Sequence, residues 1–136
     1  MVVDASVIVS RLVPHDTNHE ASRHWLTRHI AAGGLVIVPA LLLPEVAGAV
    51  ARRTGRPRLA RRAVDAVLRL PELRLVPVDD MLARTAAGLA GRLRLRGADA
   101  IYLAVAASLS LPLVTWDSEQ RDRAGRLVEV LTPATT

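Results

Sequence analysis

Four carboxylates fall where the surrounding sequence is apolar. Asp4 interrupts Val2-Val3-Asp4-Ala5-Ser6-Val7-Ile8-Val9, and Glu45 interrupts the run over residues 39–51. Asp99 stands near the start of residues 97–108, and Asp117 closes Leu111-Pro112-Leu113-Val114-Thr115-Trp116-Asp117. An isolated carboxylate is costly to bury, so each must cap a helix, pair with a base or face a cation. One shared divalent cation answers all four at once. Hard ions such as Mg²⁺ or Mn²⁺ take carboxylate and water oxygens, and with no Cys in the chain a thiolate site is impossible. Such an ion lowers the pKa of a bound water and neutralises charge growing on a phosphoryl oxygen. The implied chemistry is hydrolysis of a phosphodiester.

Each acid also has a plainer reading. Asp99 fits an N-cap or first-turn acid. Asp117 and Gln120 have the spacing of a capping box. Glu45 fits a helix surface or a pairing with a nearby Arg. Asp4, at a strand end with Ser6 two residues on, has no obvious partner. His15, His19, His24 and His29 lie close together, and a solvated helix face accounts for them better than a zinc site does.

The elements that would carry these acids alternate. Short apolar, β-branched strands are expected over residues 2–4, 35–38, 73–78, 113–115 and 127–131. Helices are expected over 6–13, from Thr17 or Asn18 to 32, and over 40–53, 59–70, 79–95, 98–110 and 118–124, punctuated by Pro14, Gly33-Gly34, Gly55, Pro71 and Gly97. The helix over 98–110 is apolar nearly all round and must be central. Strands alternating with helices predict an α/β fold with a mainly parallel central sheet flanked by helices. In such sheets ligands collect at the carboxyl ends of the strands. Asp4 and Asp117 end strands, and helices entering from the same edge could bring Glu45 and Asp99 alongside.

A chain of 136 residues suits one domain, residues 1–136, with a tail over 132–136 expected to fray. Net charge is +5, and every one of the 18 basic residues is Arg. The absence of Lys points to a coding bias, so Arg enrichment alone argues little. If a cation neutralises the four acids, the remaining surface is strongly basic and suits a polyanion. Arg52, Arg53 and Arg56, with Arg58, Arg61 and Arg62 behind them, are the candidate contacts. The first residues lack the features of a signal peptide, and no apolar stretch reaches the roughly 18 residues of a membrane span. A soluble, cytoplasmic protein without membrane contact is expected. A receiver domain needs a Lys that this chain does not have, and a haloacid-dehalogenase-type phosphatase needs an Asp where Ser6 stands.

Val2-Val3-Asp4-Ala5-Ser6, Pro44-Glu45-Val46, Gly97-Ala98-Asp99-Ala100-Ile101-Tyr102-Leu103-Ala104 and Leu113-Val114-Thr115-Trp116-Asp117, in this order and at these spacings, resemble the motifs of PIN-domain nucleases. Over its whole length the chain is similar to the toxin subunits of VapBC toxin–antitoxin pairs. The resemblance implies a single PIN-like domain and a Mg²⁺-dependent endoribonuclease, Mn²⁺ substituting. Asp4, Glu45, Asp99 and Asp117 would be its acidic cluster, with Ser6 and Thr115 as supporting hydroxyls. Water would attack phosphorus in line and leave a 5′-phosphate and a 3′-hydroxyl. An RNA substrate, a cognate VapB-like antitoxin and a homodimer are also implied. Asp122 is a further acid with no assigned role, and Pro44 before Glu45 departs mildly from the family pattern. Two alternatives stand beside this reading: a PIN-type nuclease of RNA processing outside a toxin–antitoxin pair, and a non-catalytic interaction module that keeps the acids for folding.

Overall fold

In the computed structural model, which describes residues 1–134, five short strands form one parallel sheet. They are β1 (Val2–Val3), β2 (Val36–Pro39), β3 (Leu73–Val76), β4 (Leu113–Val114) and β5 (Val130–Leu131), in the order β3-β2-β1-β4-β5. The helices among the described residues are α1 (Ala5–Leu12), α2 (His19–Ala31), α3 (Leu42–Thr54), α4 (Pro57–Leu68), α5 (Asp80–Leu93), α6 (Gly97–Leu109) and α7 (Ser118–Ala124). The expected α/β class and parallel sheet are therefore present.

The central strand is β1, paired with β2 through Val2 opposite Ile37 and with β4 through Val2 opposite Leu113 and Val3 opposite Val114. A strand covered on both faces needs an unbroken apolar run, and Val2, Val3, Leu113 and Val114 are all fully buried. Helix α6 packs on β1, β2 and β4 and carries α5, while α1 packs on α2 and α3. The apolar character of α6 has the expected cause: Ala100, Tyr102, Leu103, Ala104, Val105 and Ala106 are all buried.

Topology locates the ligand crevice. From β1 the chain moves through β2 to β3, then returns to β4 on the other side of β1. The strand order thus reverses between β1 and β4, the switch point where open α/β sheets bind ligands. Asp4 follows β1 and Asp117 lies three residues beyond β4.

Three expectations need correction. The strand expected over 127–131 shrinks to Val130–Leu131, because Leu127 and Val128 instead close a turn by donating to the Ala124 carbonyl. Residues 132 and 133 are not a frayed end: Thr132 and Pro133 are buried, while 135–136 lie outside the described residues. Helix α2 begins at His19 and not at Thr17 or Asn18, the Asn18 N–H donating to Asp16 Oδ1 at 2.8 Å in the preceding turn. Two of the histidines serve the fold. His29 stacks on Trp25 with ring centroids 5.1 Å apart and bonds the Leu35 carbonyl, a placement open only because Gly34 has no Cβ to strike the ring. His19 bonds the Ser10 carbonyl.

Candidate active site

Asp4 is 5 % exposed and caps α1, accepting from the Ser6 N–H at 3.0 Å. It therefore has the partner that its strand-end position seemed to lack. The Thr115 hydroxyl donates to the same oxygen, Oδ2, at 3.1 Å. Having spent its proton there, Thr115 Oγ1 accepts from the Asp117 N–H and from the Ser6 hydroxyl at 3.3 Å, while Ser6 Oγ in turn accepts from the Trp116 N–H. Ser6 and Thr115 thus stitch the ends of β1 and β4 together and aim their dipoles at one carboxylate oxygen. No described donor meets Asp4 Oδ1.

Helix α3 brings Glu45 in its first turn, where Pro44 is tolerated because no intrahelical N–H is required so early. Tyr102, fully buried on α6, donates its hydroxyl to Glu45 Oε1 at 2.7 Å. Burial is the main cause that raises the Glu45 pKa; the Tyr102 bond opposes it, and Asp4 and Asp99 add to it by like charge. Burial likewise raises the Tyr102 pKa far above the ordinary phenol range, with the negative charge of Glu45 contributing, so Tyr102 is a fixed donor.

Asp99 lies in the first turn of α6 but does not cap it; the N-cap position is Arg96. Burial raises the Asp99 pKa, the Arg96 guanidinium pulls it down, and Asp4 and Asp117 push it up. Asp117 does cap α7, its Oδ1 accepting from the Gln120 N–H at 2.8 Å. The reciprocal half of a capping box is missing. The buried Gln120 amide donates to the Asp99 backbone carbonyl instead, tying α7 to α6.

The four acids therefore gather at the switch point, where, beyond the main effect of burial, Asp4 and Asp99 act on Glu45 and Asp4 and Asp117 act on Asp99 by like charge. Arg96 sits at the rim, its Nε donating to Asp99 Oδ2 at 3.0 Å and its Nη2 to Asp117 Oδ2 at 2.6 Å. One guanidinium here stands where a cation is wanted. Among the described residues no three acids are drawn close enough, as their side chains stand, to hold one metal ion jointly, since protein donors engage each of them. In donor chemistry the cluster nonetheless fits a hard divalent cation: every group is a carboxylate, and Asp4 Oδ1, Glu45 Oε2 and Asp99 Oδ1 take no bond from a described residue.

Asp122 is not part of this cluster; it is exposed and lies beside Arg121 at 3.8 Å. Arg52, Arg53 and Arg56 are all exposed, and Arg53 pairs with Asp16 at 3.0 Å. A cavity of about 910 Å³ lies elsewhere, between the 12–18 segment and α3–α4, lined mainly by apolar groups together with Arg53 and Arg62. Arg96, Tyr102 and Gln120 are the site residues that sequence reasoning missed. For Arg96 a signal existed, since it precedes Asp99 by three residues at a helix start.

A family model described as the PIN domain matches residues 1–126. No curated protein sequence matches the chain. Among solved structures the chain resembles the Mycobacterium tuberculosis VapC20 toxin, described as cleaving the sarcin–ricin loop, at 24% identity and TM-score 0.75, covering 96% of this chain and 98% of that one. It resembles FitAcB from Neisseria gonorrhoeae at 23% identity and TM-score 0.74, covering 99% of both chains. It also resembles VapBC2 from Rickettsia felis bound to a promoter DNA fragment, at 12% identity and TM-score 0.73, covering 96% of both. At these identities the likeness establishes the fold.

Proposed function

This chain belongs to the PIN domain family, and on that premise we propose that it is a divalent-metal-dependent endoribonuclease, the toxin of a toxin–antitoxin pair. The observation that carries the reading is the convergence of Asp4, Glu45, Asp99 and Asp117 at the β1/β4 switch point, where mutual like charge contributes to the raised pKa values of Glu45 and Asp99. Such repulsion is tolerated when a cation relieves it.

Asp4, Glu45, Asp99 and Asp117 would hold Mg²⁺ or Mn²⁺. When bound, the ion activates water and offsets the negative charge that develops on the phosphoryl oxygens. The chain's own groups do the positioning. Ser6 and Thr115 hold Asp4 in one orientation, and Tyr102 does the same for Glu45. Gln120 fixes the start of α6 against α7, which sets the separation of Asp99 and Asp117. In the reaction, water oxygen bonds to phosphorus as the bond from phosphorus to the 3′ oxygen breaks, and the departing 3′ oxygen takes a proton from solvent, leaving a 5′-phosphate and a 3′-hydroxyl. Glu45, half-buried and with its pKa raised, is suited to take the proton that the water gives up.

The partner reading draws on the neighbours. The similar structures include a toxin–antitoxin complex from Klebsiella pneumoniae and a DNA-bound VapBC from Salmonella typhimurium. By analogy this chain takes an antitoxin, and the apolar cavity between the 12–18 segment and α3–α4 has the lining to seat an amphipathic segment of it. A homodimer is part of the same proposal.

The test is cleavage of RNA by the purified, antitoxin-free protein. Cleavage should require Mg²⁺ or Mn²⁺, stop in EDTA and disappear in Asp4→Asn. Undiminished cleavage in excess EDTA, or full activity in Asp4→Asn, contradicts the reading.

A further inference from the structure

Beside the acidic cluster the fold builds a second, oppositely charged feature. Helix α5 ends at Leu93, and Arg94 takes a left-handed conformation (φ 57°) that ordinarily favours glycine. That bend turns the chain toward α6 and presents the Arg94 carbonyl to Arg123, whose guanidinium donates to it across 29 residues. The result is a polar depression of about 350 Å³ lined by Arg92, Leu93, Arg94, Arg123 and Arg126. Arg123 is also neutralised by Glu119 at 2.6 Å. Arg92, Arg94 and Arg126 are exposed and meet no acid among the described residues. Three uncompensated guanidinium groups around one hollow repel each other, and nothing in the fold requires them there.

The hollow adjoins the active site along the chain, between the end of α5 and the start of α6. Arg94 and Arg96 are two residues apart, so their Cα atoms lie within about 7 Å. Arg96 bridges Asp99 and Asp117. A strand whose phosphodiester lies at the acids thus meets Arg96 and then Arg94, Arg92 and Arg126. Guanidinium forks match phosphate oxygens in geometry as well as charge. The alternative basic surface, the cluster on α3 and α4, is less apt: Arg53 is held by Asp16, and Arg52 lies two helical turns, roughly 10 Å, along α3 from Glu45.

We propose that the Arg92–Arg94–Arg126 hollow is the subsite that binds the phosphate backbone of single-stranded RNA flanking the cleaved bond. The proposal rests on the nuclease reading above and adds where the substrate runs.

The test is the salt dependence of binding of a labelled oligouridylate in EDTA, where cleavage is suppressed, measured by fluorescence anisotropy. Wild type is compared with Arg92→Gln/Arg126→Gln, which leaves the Arg94 bend and its carbonyl bond intact, and with Arg52→Gln/Arg56→Gln. Each lost phosphate contact on a single strand makes the log–log slope shallower by about 0.7. The hollow variant should therefore lose about 0.7–1.4 of slope and the α3 variant almost none, with melting temperatures of all three alike. An unchanged slope in the hollow variant, or the loss appearing in the α3 variant, overturns the proposal. So does a polyglutamate peptide whose binding is weakened by the hollow variant while the oligonucleotide's is not, since the hollow would then serve an acidic protein segment. The nuclease reading is judged separately, on Mg²⁺-dependent cleavage by wild type, and survives any of these slopes.

Discussion

Arg96 reaches Asp117 at 2.6 Å across 21 residues of chain while the same guanidinium holds Asp99 at 3.0 Å. It is 67 % exposed, so it occupies the site without being locked into it. A metal ion held at the proposed site would compete with this protein cation for the same two carboxylates.

Removing the competitor should strengthen metal binding. Exposed ion pairs contribute little each, so Arg96→Gln should bind Mn²⁺ only about two- to tenfold more tightly, read by calorimetry at low salt. Weaker binding in the variant would mean that Arg96 helps build the site.

The raised pKa values of Glu45 and Asp99 predict a pH dependence of metal-free stability. Because these carboxyls hold protons more tightly in the fold than in the unfolded chain, their contribution is most favourable below the ordinary carboxyl pKa of about 4. It declines as pH rises from there through the raised values. In EDTA, the melting temperature of Glu45→Gln minus that of wild type should accordingly grow between pH 4 and pH 7. A difference that shrinks over that range contradicts the electrostatics described.

Tyr102→Phe removes the one donor that Glu45 meets among the described residues while keeping the ring that fills the core. Losing a buried hydrogen bond to a charged group should cost about 1.5–3 kcal/mol in urea denaturation at neutral pH. The cost should shrink at pH 4, where Glu45 is protonated and the bond matters less. A loss independent of pH would assign the effect to packing.

The sequence disclosed the acids better than their surroundings. Asp4, Glu45, Asp99 and Asp117 stood out because each breaks an apolar run, and strand ends facing one edge of a parallel sheet bring them together. What it concealed was tertiary. Tyr102 reads as one more buried residue of an apolar helix until α6 and α3 are packed, since its partner is 57 residues away. Arg96 was lost among 18 arginines whose abundance looked compositional. Asp-Ala-Ser before an apolar helical run is an N-cap signal for Asp4, but the β-branched residues on both sides of it mask that signal with a strand pattern. For Asp117 the helix cap is observed and leaves the proposed metal role open: its Oδ1 caps α7 while its Oδ2 faces Arg96.

The central claim is that the four acids form one divalent-cation site, and thermal melts of wild type and Asp99→Asn, each in EDTA and in saturating Mg²⁺, test it most directly. Asp99 accepts no cap bond within α6, and an Asn there still offers Arg96 an amide oxygen; the net upward shift of the Asp99 pKa means that burial and like charge outweigh the Arg96 pairing that is weakened. In EDTA, relief of like-charge repulsion should leave Asp99→Asn as stable as wild type or more so. Mg²⁺ should raise the melting temperature of wild type, as binding to the native state alone requires, and raise that of the variant much less. Equal Mg²⁺ responses in the two proteins would remove Asp99 from the site and contradict the account.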